Sequence, residues 1–147
     1  YEGFLGEPDS GRTFYHGHTY TANPVGCAVA LASLDLFEEN GVLQRVRASA
    51  HRLGDAARAL AELPFVGDVR HIGMVAALEL VKDKGTKEPL AGTNPVFRAM
   101  RKEGLRRGIF LRPLGNVVYL FLPQCTAPPE LEDILSRFEG TLRSILR

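Results

Sequence analysis

The chain has 147 residues, of which 45% are hydrophobic and 24% charged, with a formal net charge of +1. Such totals fit one globular chain long enough to bury a core, and the scattered basic residues, paired only briefly as in Arg106-Arg107, argue against a nucleic-acid partner. No apolar run approaches a membrane span and none reads as a signal peptide, while two cysteines, Cys27 and Cys125, form neither a metal motif nor a disulfide framework, so free thiols and a cytoplasmic location are expected.

In chain order, residues 1–13, with Glu7-Pro8-Asp9-Ser10-Gly11, read as an exposed loop. A hydroxyl-bearing loop, His16 to Thr21, then runs into an abrupt helix start, with Asn23 as N-cap and Pro24 in the first turn. The helix predicted over 24–39 is apolar nearly all round (Val25, Cys27, Val29, Leu31, Leu34, Phe37), the pattern of a buried helix. Its start is expected to aim free N–H groups and a positive dipole end inward, with Thr19 and Thr21 just ahead, an arrangement suited to a phosphate. The plainer alternative is that both threonines only order a tight turn.

Asn40-Gly41 stops that helix, and a second follows over about 42–63, with Val46, Ala50, Leu53, Ala57 and Leu60 on one stripe. Residues 66–73 and 74–81 predict two strands, or one long strand broken at Gly73. Lys82 to Gly92 reads as a surface loop. Asn94-Pro95 repeats the cap signal and starts a helix through Arg107 with Val96, Phe97, Met100 and Leu105 inward. Residues 109–112 and 117–122 predict a hairpin across Pro113-Leu-Gly-Asn116, Gly115-Asn116 tolerating positive φ. Pro128-Pro129-Glu130 opens a last helix whose Leu131, Ile134, Leu135, Phe138, Leu142 and Ile145 trace one face.

From residue 42 onward this order predicts an α+β layer, helices on one side of a small sheet. Residues 1–41 read as the end of a different, larger body and 42–147 as a small C-terminal domain. The chain opens on Tyr1, not Met, and its apolar first helix wants partners on several sides, so a piece of a longer protein is expected.

The string His16-Gly-His-Thr19-Tyr-Thr-Ala-Asn23-Pro24 resembles the His-Gly-x-Thr-Tyr-x-x-Asn-Pro segment of class III (omega-type) aminotransferases. Leu111-Arg112-Pro-Leu-Gly-Asn-Val-Val-Tyr119-Leu-Phe-Leu-Pro123 is similar to the segment with which that family holds the substrate carboxylate. The resemblance implies an α/β, fold-type-I enzyme using pyridoxal 5′-phosphate on small-molecule substrates, of which this chain is the C-terminal part, and a homodimer when the enzyme is whole. It implies that Thr19 reaches the cofactor phosphate of the neighbouring subunit, with His18 adjacent to the cofactor region. Arg112 falls on the carboxylate-binding arginine, a role suited to a guanidinium presented from a strand end. A surface arginine at a turn is the plainer reading.

Tyr119, otherwise a core ring in an aliphatic strand, is typical at this distance of one subgroup active in biotin synthesis, where it lines the substrate pocket. That subgroup's reaction, implied by the resemblance, moves an amino group from S-adenosylmethionine to 8-amino-7-oxononanoate. Cofactor chemistry of this kind also needs a Schiff-base lysine of lowered pKa. Lys82, Lys84, Lys87 and Lys102 sit in a charged loop or on a charged helix flank, so no catalytic residue is assigned, and the 147 residues alone are expected to be inactive. His16 and His18 make a poor zinc site. Two further readings stay open: another class III aminotransferase with an amino-acid or diamine donor, and a stand-alone binding or dimerisation module.

Overall fold

A computed structural model describes residues 1–146, apart from the side chain of Pro8. The chain divides into two compact units, Tyr1–Glu39 and a second beginning at Asn40.

The first unit holds two short 3-10 turns, Glu2–Phe4 and Pro8–Ser10, and one helix, α1 (Pro24–Glu39). The rings of Phe4 and Phe14 lie 5.0 Å apart, and Phe14 stacks on His16 at 5.3 Å. Contrary to expectation, α1 has no buried residue: Val25, Val29, Leu31 and Leu34 are 63–72% exposed, and Cys27 is exposed as well. A helix is buried only by what packs on it, and this unit offers nothing but loop and two short turns.

The second unit is the expected α+β layer. Its sheet is antiparallel in the order β1 (Val66–Ile72), β2 (Val75–Leu80), β3 (Val117–Phe121). Residues 66–81 form a hairpin, with Ile72 paired to Val75 across a two-residue turn. Gly73 occupies the first turn position at φ +51°, where a side chain would be strained.

Period-two alternation sends Ala76, Leu78, Leu80, Val118 and Leu120 to one face, where all are buried. On that face lies α2 (Val42–Ala59, prolonged by a 3-10 turn, Leu60–Glu62), with Leu53, Ala57 and Leu60 inward. The helix α4 (Pro128–Ile145) adds Leu131, Leu135, Phe138 and Leu142, and packs on α2 and on α3 (Pro95–Arg106). Each such side chain contributes about 1.5–3 kcal/mol of burial.

Capping follows the sequence: Asn94 Oδ1 accepts the Val96 N–H at 3.0 Å, and the Glu130 carboxylate accepts the Ala127 N–H at 2.8 Å. On α3, Phe97 and Met100 are buried, but Leu105 is 60% exposed. Gly104 takes the inward position there, one residue out of register with the expected stripe.

The predicted hairpin over 109–122 does not form. The segment from Ile109 to Pro113 is irregular, and only an isolated bridge joins Leu114 to Val117. Pro113 has no N–H to give a ladder, and β3 instead spends one edge on β2. Arg112 therefore stands on an extended loop, not at a strand end.

Candidate functional site

In the first unit the loop ahead of α1 is tied together by its own groups. Thr21 Oγ1 donates to the His18 carbonyl at 2.6 Å and accepts the His18 N–H at 2.8 Å. His18 Nδ1 accepts the Tyr20 N–H at 3.1 Å, which requires that nitrogen to be unprotonated. Thr21 is thus the turn-ordering residue. Thr19 is exposed, and neither its hydroxyl nor its N–H is bonded among the described residues.

The helix start differs from expectation. Asn23 Oδ1 accepts from both Val25 N–H (2.9 Å) and Gly26 N–H (3.2 Å), and its carbonyl accepts from Cys27 N–H (2.9 Å). Pro24 has no N–H. The first turn of α1 therefore holds no free donor for an anion, because the cap that starts the helix also consumes its orphan groups.

In the second unit Arg112 and Tyr119 come together. Continuing the Leu114↔Val117 register would set Arg112 opposite Tyr119 in a hairpin. The irregular segment diverges from β3 instead, and a groove of about 290 Å³ opens between them, lined by Arg112, Tyr119, Ile109, Phe110, Phe121 and Ile134 among others. The side chains that line it are apolar but for those of Arg112 and Tyr119. Arg112 is exposed and makes no hydrogen bond or ion pair among the described residues, so its five donors are available. Tyr119 lies on the sheet face opposite the helices and is half-buried.

All four lysines are exposed. Lys82 pairs with Glu88, Lys84 Nζ donates to the Ala61 carbonyl at 2.6 Å, and Lys87 Nζ to the Gly67 carbonyl at 3.2 Å. Both cysteines are free and exposed. Among the described residues no cluster of His, Cys, Asp and Glu could hold a metal ion, and no helix is long and apolar enough to cross a membrane.

The strongest carboxylate perturbation lies away from the groove. Glu103 hydrogen-bonds the side chains of Arg106 and Arg107, which hold its carboxyl down at about 2. Sequence reasoning missed Asn116, whose side chain fastens the turn beside Arg112 to β2 (below). Its only signal in the sequence is its place beside Gly115 in the turn.

Comparison with known proteins now defines the class. The profile of the class-III aminotransferases matches residues 4–142, and the chain belongs to that family, whose members work with pyridoxal 5′-phosphate. It is 44% identical over 145 residues to the adenosylmethionine-8-amino-7-oxononanoate aminotransferase of Geobacter sulfurreducens, covering 99% of this chain and 32% of that protein. The crystal structure of the Methanocaldococcus jannaschii enzyme of the same name superposes with a TM-score of 0.79 at 36% identity, over 97% of this chain and 32% of that one. A pyridoxamine-phosphate-bound aminotransferase from Vibrio fluvialis matches with a TM-score of 0.79 at 34% identity, over 90% of this chain and 29% of that one. The chain spans about a third of the length of these relatives.

Proposed function

We propose that this chain supplies the C-terminal part of a pyridoxal-phosphate aminotransferase that moves an amino group from S-adenosylmethionine to 8-amino-7-oxononanoate. The observation that carries the reading is the shared groove of Arg112 and Tyr119, a single cation among apolar side chains. The keto acid is complementary to it, an aliphatic chain ending in a carboxylate. The similarity to relatives bearing that enzyme's name supports the choice of substrates.

In this reading Arg112 grips the substrate carboxylate in bidentate fashion and sets the reach of the chain. Tyr119 packs its ring along the aliphatic part and keeps its hydroxyl at the groove's wet side. Thr19 holds a phosphate oxygen of the cofactor in a homodimer, and His18 orders the loop that presents it. The cofactor, when bound, supplies the electron sink for amino transfer. This chain's share is placement: orienting the reacting end of each substrate in turn against the cofactor lowers the barrier by avoiding the entropy of bringing the two together.

The test is an assay of a polypeptide of the relatives' length containing this chain, loaded with cofactor, alongside the 147 residues alone. Turnover with S-adenosylmethionine and none with alanine, and no turnover by the 147 residues, is the expected result. Efficient use of alanine or a diamine would transfer the assignment to another class III reaction, and turnover by the short chain would overturn it.

A further inference from the structure

Resting on the reading of Arg112 as the carboxylate-binding group, we infer that Asn116 is the positioning residue that aims it, with Gly92 as the second support of the same turn. Arg112 lies between two anchors. Upstream, Leu111 is buried at 1% exposure against Gly104. Downstream, Leu114 and Val117 exchange N–H···O bonds of 2.9 and 3.0 Å and close a tight turn two residues from Arg112. The link between is Pro113, whose ring fixes its own φ and restricts the conformation of Arg112 before it. A shift of the turn therefore passes to Arg112 with few soft torsions to absorb it.

Asn116 fastens that turn to the central strand. Its carbonyl accepts the Leu80 N–H at 2.8 Å, its side-chain amide donates to the Leu80 carbonyl at 3.1 Å, and the same amide faces Glu79 Oε1 at 3.4 Å. By residue type, Gly115 and Asn116 both tolerate the positive φ of a tight turn. In the structure only Gly115 has one (+59°), so backbone conformation does not call for asparagine at 116. What the position uses is the amide. From the other side Gly92 meets the turn: a Cβ built there would lie 3.1 Å from Gly115 Cα and 3.2 Å from its carbonyl oxygen. Gly92 does not need its own φ freedom, since its φ is not in the left-handed range. It is small because the backbone of Gly115 is there. The turn is thus held between Leu80 and Gly92, and the backbone from which Arg112 projects is held with it. Bidentate recognition tolerates little error, and a misplacement of about 1 Å can cost on the order of 100-fold in rate at limiting substrate.

The experiment uses the cofactor-loaded polypeptide of the relatives' length, in its aminated form, reacting in single turnovers with 8-amino-7-oxononanoate and, separately, with its methyl ester. The variants N116A, N116D and G92A are each expected to raise the concentration for half-maximal rate with the acid by roughly 10- to 100-fold. The limiting rate is expected to change by less than about threefold, and the ester to be indifferent to all three. Equal losses for acid and ester would mean a general structural role and overturn the inference, as would no loss for either. N116D keeps the shape of asparagine while removing the donated bond, so it reports even if N116A does not fold. R112A run in parallel separates the two layers. Acid-selective loss in R112A without it in the Asn116 and Gly92 variants refutes positioning, whereas no acid-selective loss in R112A refutes the underlying reading.

Discussion

Gly104 on α3 and Ile109 on the loop that follows touch twice. The Ile109 N–H donates to the Gly104 carbonyl at 2.8 Å, and a Cβ at position 104 would lie 2.8 Å from the Ile109 carbonyl oxygen. The loop toward Arg112 therefore leaves α3 across a surface that admits no side chain. Alanine is the better helix former by about 1 kcal/mol, yet G104A is expected to be a net loss. Forcing the backbones apart costs about 1–3 kcal/mol, so the denaturation midpoint should fall relative to the parent. An unchanged or higher midpoint would show that the loop yields freely.

Arg112 gives a prediction about chemistry. If its guanidinium holds the substrate carboxylate, R112A should lower kcat/KM for the keto acid in the complete enzyme by roughly 10- to 100-fold, the range for losing a hydrogen bond to a charged group. R112K keeps the charge but not the fork, and should recover only a small part of the loss. Steady-state kinetics with the acid decide it. Full activity in R112K would point to a mere electrostatic contribution.

Thr19 is expected to contribute through phosphate alone. T19A should weaken binding of pyridoxal phosphate by roughly 10-fold or more and leave binding of unphosphorylated pyridoxal unchanged, with T19S close to the parent. T21A should behave differently, since Thr21 Oγ1 is spent on His18. It should loosen the loop and weaken both ligands together. Absorbance titrations of the complete apoenzyme distinguish these patterns.

Glu103 links stability to acid. Its side chain is only 16% exposed and pairs with Arg106 and Arg107, and its folded pKa of about 2 lies below the ordinary 4.5. A depressed carboxylate pKa adds stability that is whole above the unfolded value and is lost as pH falls toward the folded one. The parent should therefore melt above E103Q at neutral pH. That gap should shrink from about pH 4.5 downward and be nearly gone at about pH 2. A gap that holds constant across this range would remove Glu103 from the acid response.

Much of this molecule follows from local pattern. The caps Asn23-Pro24 and Asn94-Pro95 place both helix starts, the 3.6-residue stripes of α2 and α4 name Leu53, Ala57, Leu60, Leu131, Leu135, Phe138 and Leu142 of the core while Val46, Ala50, Ile134 and Ile145 stay partly exposed, and alternation in β2 and β3 names the buried sheet face. These are short-range matters, decided by which backbone groups lack partners and which face is apolar. The strings around Thr19 and Arg112 were likewise readable as those of an aminotransferase, and the comparisons place the chain in that family.

Other features depended on what each segment meets in space. Apolar periodicity cannot tell whether a partner is present, so α1 read as buried and stands exposed. The donors at its start looked free for an anion because a capping residue's own use of them is a matter of geometry. Residues 109–112 have every local mark of a strand. Competition settles their fate, with β2 holding one edge of β3, Pro113 unable to donate, and Leu111 drawn into the core while Arg112 stays in solvent. That is why Arg112 and Tyr119 border an open groove instead of a closed ladder: pairing between strands is long-range, and the chain's own letters carry no record of which edge is already taken.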